Sequence, residues 1–160
     1  MNINKILIIL GEPQSTFNEI LFKFFKSKRF LKLNKKIILI GNKNLFEKQM
    51  QRLGYKIKLN IIADIKNSTI GIANIFNVNY RSNKIFTKIS NHSNSYIKKC
   101  FDIGIKILKK NKSIGLINGP ISKKKFLKER FLGITEYLAS KTNKKNKVAM
   151  LIFNKKFAGV

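Results

Sequence analysis

Three short clusters carry the chemistry that can be read from this chain: Gly11-Glu12-Pro13 behind the first apolar run, Asn118-Gly119-Pro120, and Gly133-Ile134-Thr135-Glu136 in the last third. Each adjoins a stretch with the composition of a buried element. Ligands of open α/β sheets bind outside the carboxyl ends of the strands, where such turns sit, so the clusters point to a small-molecule site. The residues that would make such a site reactive are few. His92, within Asn91-His92-Ser93-Asn94, is the only histidine. One imidazole does not make a three-ligand metal site, so His92 reads as a loop or cap-adjacent residue and no metal is expected on this chain. Cys100 is the only cysteine, which excludes an intrachain disulfide and a cysteine-rich zinc site and points to a reducing compartment. No Cys-His or Ser-His-Asp set can be built around one loop histidine. Neither a Gly-x-Gly-x-x-Gly fingerprint nor a phosphate-binding loop pattern follows any strand. Catalytic and cofactor-binding residues therefore stay unassigned. Glu12 has two readings, a loop carboxylate near the site or a charge favouring the N-terminus of the next helix.

The elements that must position these clusters show in the periodicity. Residues 5–11 and 36–41 are continuous apolar runs stopped by glycine, the pattern of strands buried on both faces. Phe17, Ile20, Leu21, Phe24 and Phe25 recur at helical spacing, with positive charge from Lys26 to Arg29 where the helix should end. Residues 45–53 suggest a short helix closed by Gly54. Residues 57–63 and 70–78 read as further strands, the second interrupted by the turn-forming Asn74, Asn77 and Asn79. The spacing predicts a long helix over 94–110, with Tyr96, Ile97, Cys100, Ile103, Ile107 and Leu108 as its apolar stripe and Cys100 in the core. Residues 113–118 form the next buried strand, 135–140 a helical segment, and 148–153 one more apolar run. Alternating strands and helices imply an α/β region, a mainly parallel sheet flanked by helices, over 1–160.

Composition narrows the class. With 160 residues, 44% hydrophobic content and 13 Phe, the chain fits one domain with a real core. Its formal charge of +27 comes from 34 Lys and Arg against 7 Asp and Glu, which favours nucleic acid, anionic lipid or phosphorylated ligands. Only four of those residues are arginines, the preferred side chain for bidentate phosphate and base contacts, and the lysines are scattered. Abundant Asn and Ile alongside Lys suggest AT-rich coding, which shifts composition without selecting a partner. The apolar run 6–10 is too short for a signal-peptide core or a membrane span, so a soluble cytoplasmic protein is expected. The chain ends at Lys155-Lys156-Phe157-Ala158-Gly159-Val160 with no helix stop or polar tail, which suggests that it is cut off.

The clusters also occur in a familiar order. Gly-Glu-Pro after the first strand, a helix near Tyr96 and Ile97, Ile117-Asn118-Gly119-Pro120-Ile121-Ser122-Lys123, and Gly133-Ile134-Thr135-Glu136-Tyr137-Leu138-Ala139 resemble the N-terminal half of the 4-hydroxythreonine-4-phosphate dehydrogenase family. The resemblance runs across nearly all of this chain and covers roughly half of a family member. It implies a fold like that of isocitrate and isopropylmalate dehydrogenases, here incomplete. It also implies NAD(P)-dependent oxidation of 4-phosphooxy-L-threonine in pyridoxal phosphate biosynthesis, followed by decarboxylation. A divalent metal held by histidines, NAD or NADP as cofactor, a phosphorylated small-molecule substrate and a homodimer when complete belong to the same implication.

Within that resemblance, Thr135 falls on the threonine of a Gly-His-Thr-Glu motif whose His and Thr contact the substrate, and Ile134 falls on the histidine. Isoleucine neither donates a hydrogen bond nor titrates, so one substrate contact is missing. Thr135 keeps a hydroxyl for a polar ligand, or caps the helix that follows. Lys123 lies near the ligand phosphate in one reading and belongs to a solvated charged face, Lys123-Lys124-Lys125, in the other. The family's metal ligands lie beyond the extent of this chain, so a fragment or a divergent chain, inactive alone, is expected. The alternative from another class is a basic nucleic-acid-binding protein, although Phe17, Phe24 and Phe25 recur at core spacing and not as a stacking platform.

Overall fold

Segments such as Ile37-Ile38-Leu39-Ile40, mostly β-branched and without a polar break, are at rest only in a strand covered on both faces. The computed structural model, which describes residues 3–82, 84–111, 113–128, 130–144, 147–153 and 158–159, places them there. Strands β1 (Lys5–Ile9), β2 (Lys36–Gly41), β3 (Leu59–Ile62), β4 (Ala73–Asn77) and β5 (Ile114–Asn118) form one sheet in the order β3-β4-β2-β1-β5. Every pairing is parallel, with Leu7 of β1 opposite both Ile38 and Leu116. The chain leaves β1 towards β2 and returns to the other side of β1 at β5. That reversal is the position at which open α/β sheets bind ligands.

The chain divides into two compact units, Met1–Ser122 and Lys123–Val160. In the first, helices α1 (Phe17–Phe25), α2 (Lys28–Leu31) and α3 (Lys43–Arg52) pack with Ile8, Leu10, Ile37, Leu39 and Ile75 as one apolar cluster. Phe22 and Phe46 meet edge to face at 4.8 Å between ring centroids, and Phe25 and Phe30 at 4.9 Å. Helix α4 (Asn94–Lys110) covers the alternate strand positions: a side chain at its Gly104 would press against Ile9 and Ile40. Period-two alternation thus assigns one set of strand residues to each helical layer. Helix α3 opens on Asn42, whose side chain accepts from the Leu45 N–H at 2.9 Å. It closes on Gly54 at φ +74°, with the Gly54 N–H donating to Gln51 O and the Tyr55 N–H to Met50 O. Such a double bond needs a left-handed residue, which glycine supplies without strain.

Several expectations are corrected in detail. Ile20 is 58% exposed, and α1 instead buries Asn18, Leu21, Phe22 and Phe25. The buried face of α4 comprises Tyr96, Ile97, Cys100, Phe101, Gly104 and Ile105, while Ile103, Ile107 and Leu108 are half-buried. The nine-residue strand expected over 70–78 is β4 alone, and Asn74 does not interrupt it. Fully buried, Asn74 donates from Nδ2 to Ile37 O and Thr69 O at 2.9 Å each and accepts from the Thr69 N–H at 2.9 Å and from Asn60 Nδ2 at 2.8 Å. A buried amide with matched donors and acceptors is tolerated inside a strand. Strand β5, expected to be buried, is the sheet edge and is half-buried, with Ile117 47% exposed.

The second unit holds a π-helical turn (Lys123–Leu127), helix α5 (Ile134–Lys141) and a two-residue antiparallel ladder of β6 (Ile152–Phe153) with β7 (Ala158–Gly159). Tyr137 of α5 meets Phe126 and Phe131 edge to face at 5.3 and 5.5 Å. The apolar run 148–153 is a strand only at its end, and Val148, Met150 and Leu151 are exposed. Residues 154–157 and 160 of the chain's last segment lie outside the described residues. No helix among the described residues is long and apolar enough to cross a membrane.

Candidate functional site

Two of the three clusters meet where β1 and β5 end. The Gly119 N–H donates to Ile9 O at 2.7 Å, and the Glu12 N–H donates to Pro120 O at 2.8 Å. The loops approach so closely that a Cβ on Gly119 would overlap Leu10 O, and one on Gly11 would overlap Pro120 O. Gly11 also sits at φ +69°, where a side chain is strained in any case. The glycines of Gly-Glu-Pro and Asn-Gly-Pro are therefore the condition for this crossing, and the crossing fixes the direction of Glu12.

The Glu12 side chain is only 2% exposed. Oε2 accepts from Ser93 Oγ at 3.0 Å, while Oε1 has no hydrogen-bond partner in the protein. Burial pushes the Glu12 carboxyl above the usual carboxylate range, and the Ser93 hydroxyl and Gln14 backbone amide pull it partly back. Ser93 is the residue that opens α4, yet it makes no capping bond to that helix, its hydroxyl lying between Glu12 and Ser90 O. Of the two readings for Glu12, the loop carboxylate is the one realised, tied to the start of α4 and not to that of α1.

Beside Glu12 lies a cavity of about 410 Å³. Its walls comprise Glu12, Gln14, Tyr80, Ser82, Thr87, Ser90, His92 and Ser93, together with Arg81, Lys84 and Lys88. Gln14 Oε1 accepts from the Thr87 N–H at 2.9 Å, and its buried Nε2 has no partner. Gln49 of α3, 1% exposed, ties the two sides: its Nε2 donates to Pro13 O at 2.9 Å and to Ile85 O at 3.0 Å. Its Oε1 accepts from Asn18 Nδ2 at 2.6 Å. His92 is exposed in the 3₁₀ turn Asn91–Ser93, with Nε2 3.0 Å from Arg81 O and its ring tilted against Tyr80. Tyr80 in turn packs on buried Tyr96, whose hydroxyl accepts from the Asn42 N–H at 2.9 Å. Burial raises the Tyr80 phenol, and the nearby Glu12 charge raises it further.

Thr135 and Ile134 belong to the second unit. Helix α5 begins after Gly133, which has extended backbone, and Ile134 and Thr135 are its first two residues, both half-buried. Thr135 does not cap the helix: the capping position is Gly133, and no side chain closes the turn. Lys123 is exposed at the head of the π-helical turn. Gln14, Gln49, Tyr80, Thr87 and Ser93 carry no sequence motif. The available signals were a serine directly ahead of a strong helix and a glutamine on the apolar stripe of α3. Among the described residues, no three His, Cys, Asp or Glu side chains gather as a metal site.

A parallel sheet layered by helices, with a cavity beside the loops that follow β1 and β4, places the chain in the α/β class. The chain belongs to the family described as pyridoxal phosphate biosynthetic protein PdxA, which it matches over residues 33–158. In fold it is similar to a 4-hydroxythreonine-4-phosphate dehydrogenase from Burkholderia phymatum, at 16% identity and a TM-score of 0.82 over 99% of this chain and 49% of that one. It is also similar to the protein of that name from Klebsiella pneumoniae, at 14% identity and a TM-score of 0.79 over 97% of this chain and 49% of that one. The chain thus spans about half the length of these structures. No curated protein matches it in sequence.

Proposed function

We propose that this chain corresponds to the N-terminal half of a cytoplasmic NAD(P)-dependent dehydrogenase that oxidises 4-phosphooxy-L-threonine for pyridoxal phosphate biosynthesis, and that it does not turn over alone. Family membership over residues 33–158 is the observation that carries the reading. In it, the Thr135 hydroxyl contacts the phosphorylated substrate, and Ile134 supplies no polar group where a histidine would. A metal and a nicotinamide cofactor would supply Lewis acidity and the hydride acceptor. The described residues do not fit the metal: Glu12 is a lone buried carboxylate already bonded to Ser93, and His92 faces a backbone carbonyl. The chain's own part is substrate binding, and homodimer formation when complete.

The test is substrate-dependent NADH formation with added divalent metal, alongside calorimetric titration of 4-phosphooxy-L-threonine. Binding weakened by Thr135→Ala, without turnover, is the expected result. Turnover well above background overturns the inactivity, and absence of binding overturns the substrate assignment. The net charge of +27 favours a second reading, nucleic-acid binding. That reading requires affinity which falls steeply as salt rises, and no retention in filter binding at low ionic strength removes it.

A further inference from the structure

We propose that the cavity beside Glu12 binds a small phosphorylated polyol, taking a ligand hydroxyl at Glu12 and Gln14 and the phosphate on the basic side chains around it. Two buried polar atoms at this cavity are left without partners: Glu12 Oε1, an acceptor, and Gln14 Nε2, a donor. Each such orphan is costly, and two of opposite type lining one space call for a group that satisfies both. A hydroxyl does so, because it donates one hydrogen and accepts through its lone pairs. A phosphate alone would meet Gln14 and be repelled by Glu12. An ammonium alone would meet Glu12 and leave Gln14 unmatched.

The rest of the ligand follows from the remaining wall. Arg81, Lys84 and Lys88 are exposed there, and Glu12 is the only acidic residue of the lining. That arrangement suits an anion held at a distance from the buried carboxylate. The volume of about 410 Å³ falls in the range of small-ligand pockets and admits a pentose phosphate. All of these residues lie in the first unit, whereas Thr135 and Ile134 belong to the second, so the assignment uses none of the residues on which the dehydrogenase reading rests.

Calorimetric titration of the full chain with ribose 5-phosphate, ribose and inorganic phosphate at fixed ionic strength tests the proposal. Ribose 5-phosphate should bind at least roughly tenfold more tightly than inorganic phosphate, the order expected for one well-placed hydrogen bond to a charged group. Glu12→Gln should remove that preference while leaving phosphate binding unchanged. Lys88→Ala should weaken both phosphorylated ligands, and Lys56→Ala, which alters no residue of the cavity, should not. Equal affinities for ribose 5-phosphate and phosphate, or no binding, overturn the proposal. Should Glu12→Gln fail to fold, indistinguishable Lys88→Ala and Lys56→Ala proteins overturn it in the same way.

Discussion

Replacing Gln49 by leucine tests whether the site loops are held by a buried amide. Leucine is close to glutamine in size, so the change leaves little cavity and isolates the loss of hydrogen bonds. Three are lost: those to Pro13 O at 2.9 Å, to Ile85 O at 3.0 Å and from Asn18 Nδ2 at 2.6 Å. Ile85 is half-buried and its carbonyl can recruit water, whereas Pro13 and Asn18 are buried. Two stranded groups at about 1–3 kcal/mol each put the expected loss at about 2–6 kcal/mol, a large part of the roughly 5–15 kcal/mol that holds a domain together. Equilibrium urea unfolding measures it. Native-state amide exchange gives the local readout, because the Thr87 N–H is bonded to Gln14 within the segment that Gln49 fastens. A double-mutant cycle with Asn18→Leu should return a coupling of about 1–2 kcal/mol, since the second change removes the stranded donor. A Gln49→Leu protein within about 0.5 kcal/mol of the parent, the range of an ordinary surface change, would refute the reasoning.

Other expectations concern single residues. Gly119→Ala drives a Cβ into Leu10 O and the Phe17 ring, and overpacking of this kind costs about 1–3 kcal/mol; an unchanged Tm would show that the two loops yield freely. Burial pushes the Cys100 thiol up to about 12, so the folded protein should be inert to a disulfide reagent at pH 8 and react fully in denaturant; prompt reaction of the native chain contradicts its burial. The Glu12 carboxyl lies above its ordinary range, so the stability linked to its neutral form is complete below that range and is lost as pH rises through the raised value. Urea midpoints of Glu12→Gln and the parent should therefore diverge from pH 4 to pH 8 in favour of the variant, and a constant difference refutes the assignment.

The parts legible in the sequence are those decided by local pattern. Strand β2 and helix α4 fall on the residues that periodicity indicates, because Ile37-Ile38-Leu39-Ile40 has no amphipathic alternative and residues 94–110 repeat a 3.6-residue stripe. Glycine-bearing turns were also legible, and two of the three, those at Gly11 and Gly119, do meet at the ends of β1 and β5. What escaped depends on partners distant in sequence. Ile20 looks like core by spacing, but the direction from which α3 and the sheet approach α1 selects Phe22 instead. Asn74 looks like a strand breaker because its partners, Ile37, Thr69 and Asn60, cannot be read from its neighbours. The environment of Glu12 depends on Ser93, eighty-one residues away. Thr135 resembles a cap by residue type, but the capping position falls two residues earlier, on a glycine without a side chain to offer.

The buried amide of Asn74 bears on which alignment of the strands is permitted. Strands made of near-identical aliphatic residues can slide past one another by two positions with every side chain keeping its face, so apolar packing discriminates poorly between such registers. Sliding β4 along β2 would carry Asn74 from its place opposite Ile38 and detach it from Ile37 O, stranding an amide in a dry interior. One asparagine thus acts as an index mark for the sheet: it excludes shifted, kinetically trapped arrangements that a valine or leucine at that position would leave open.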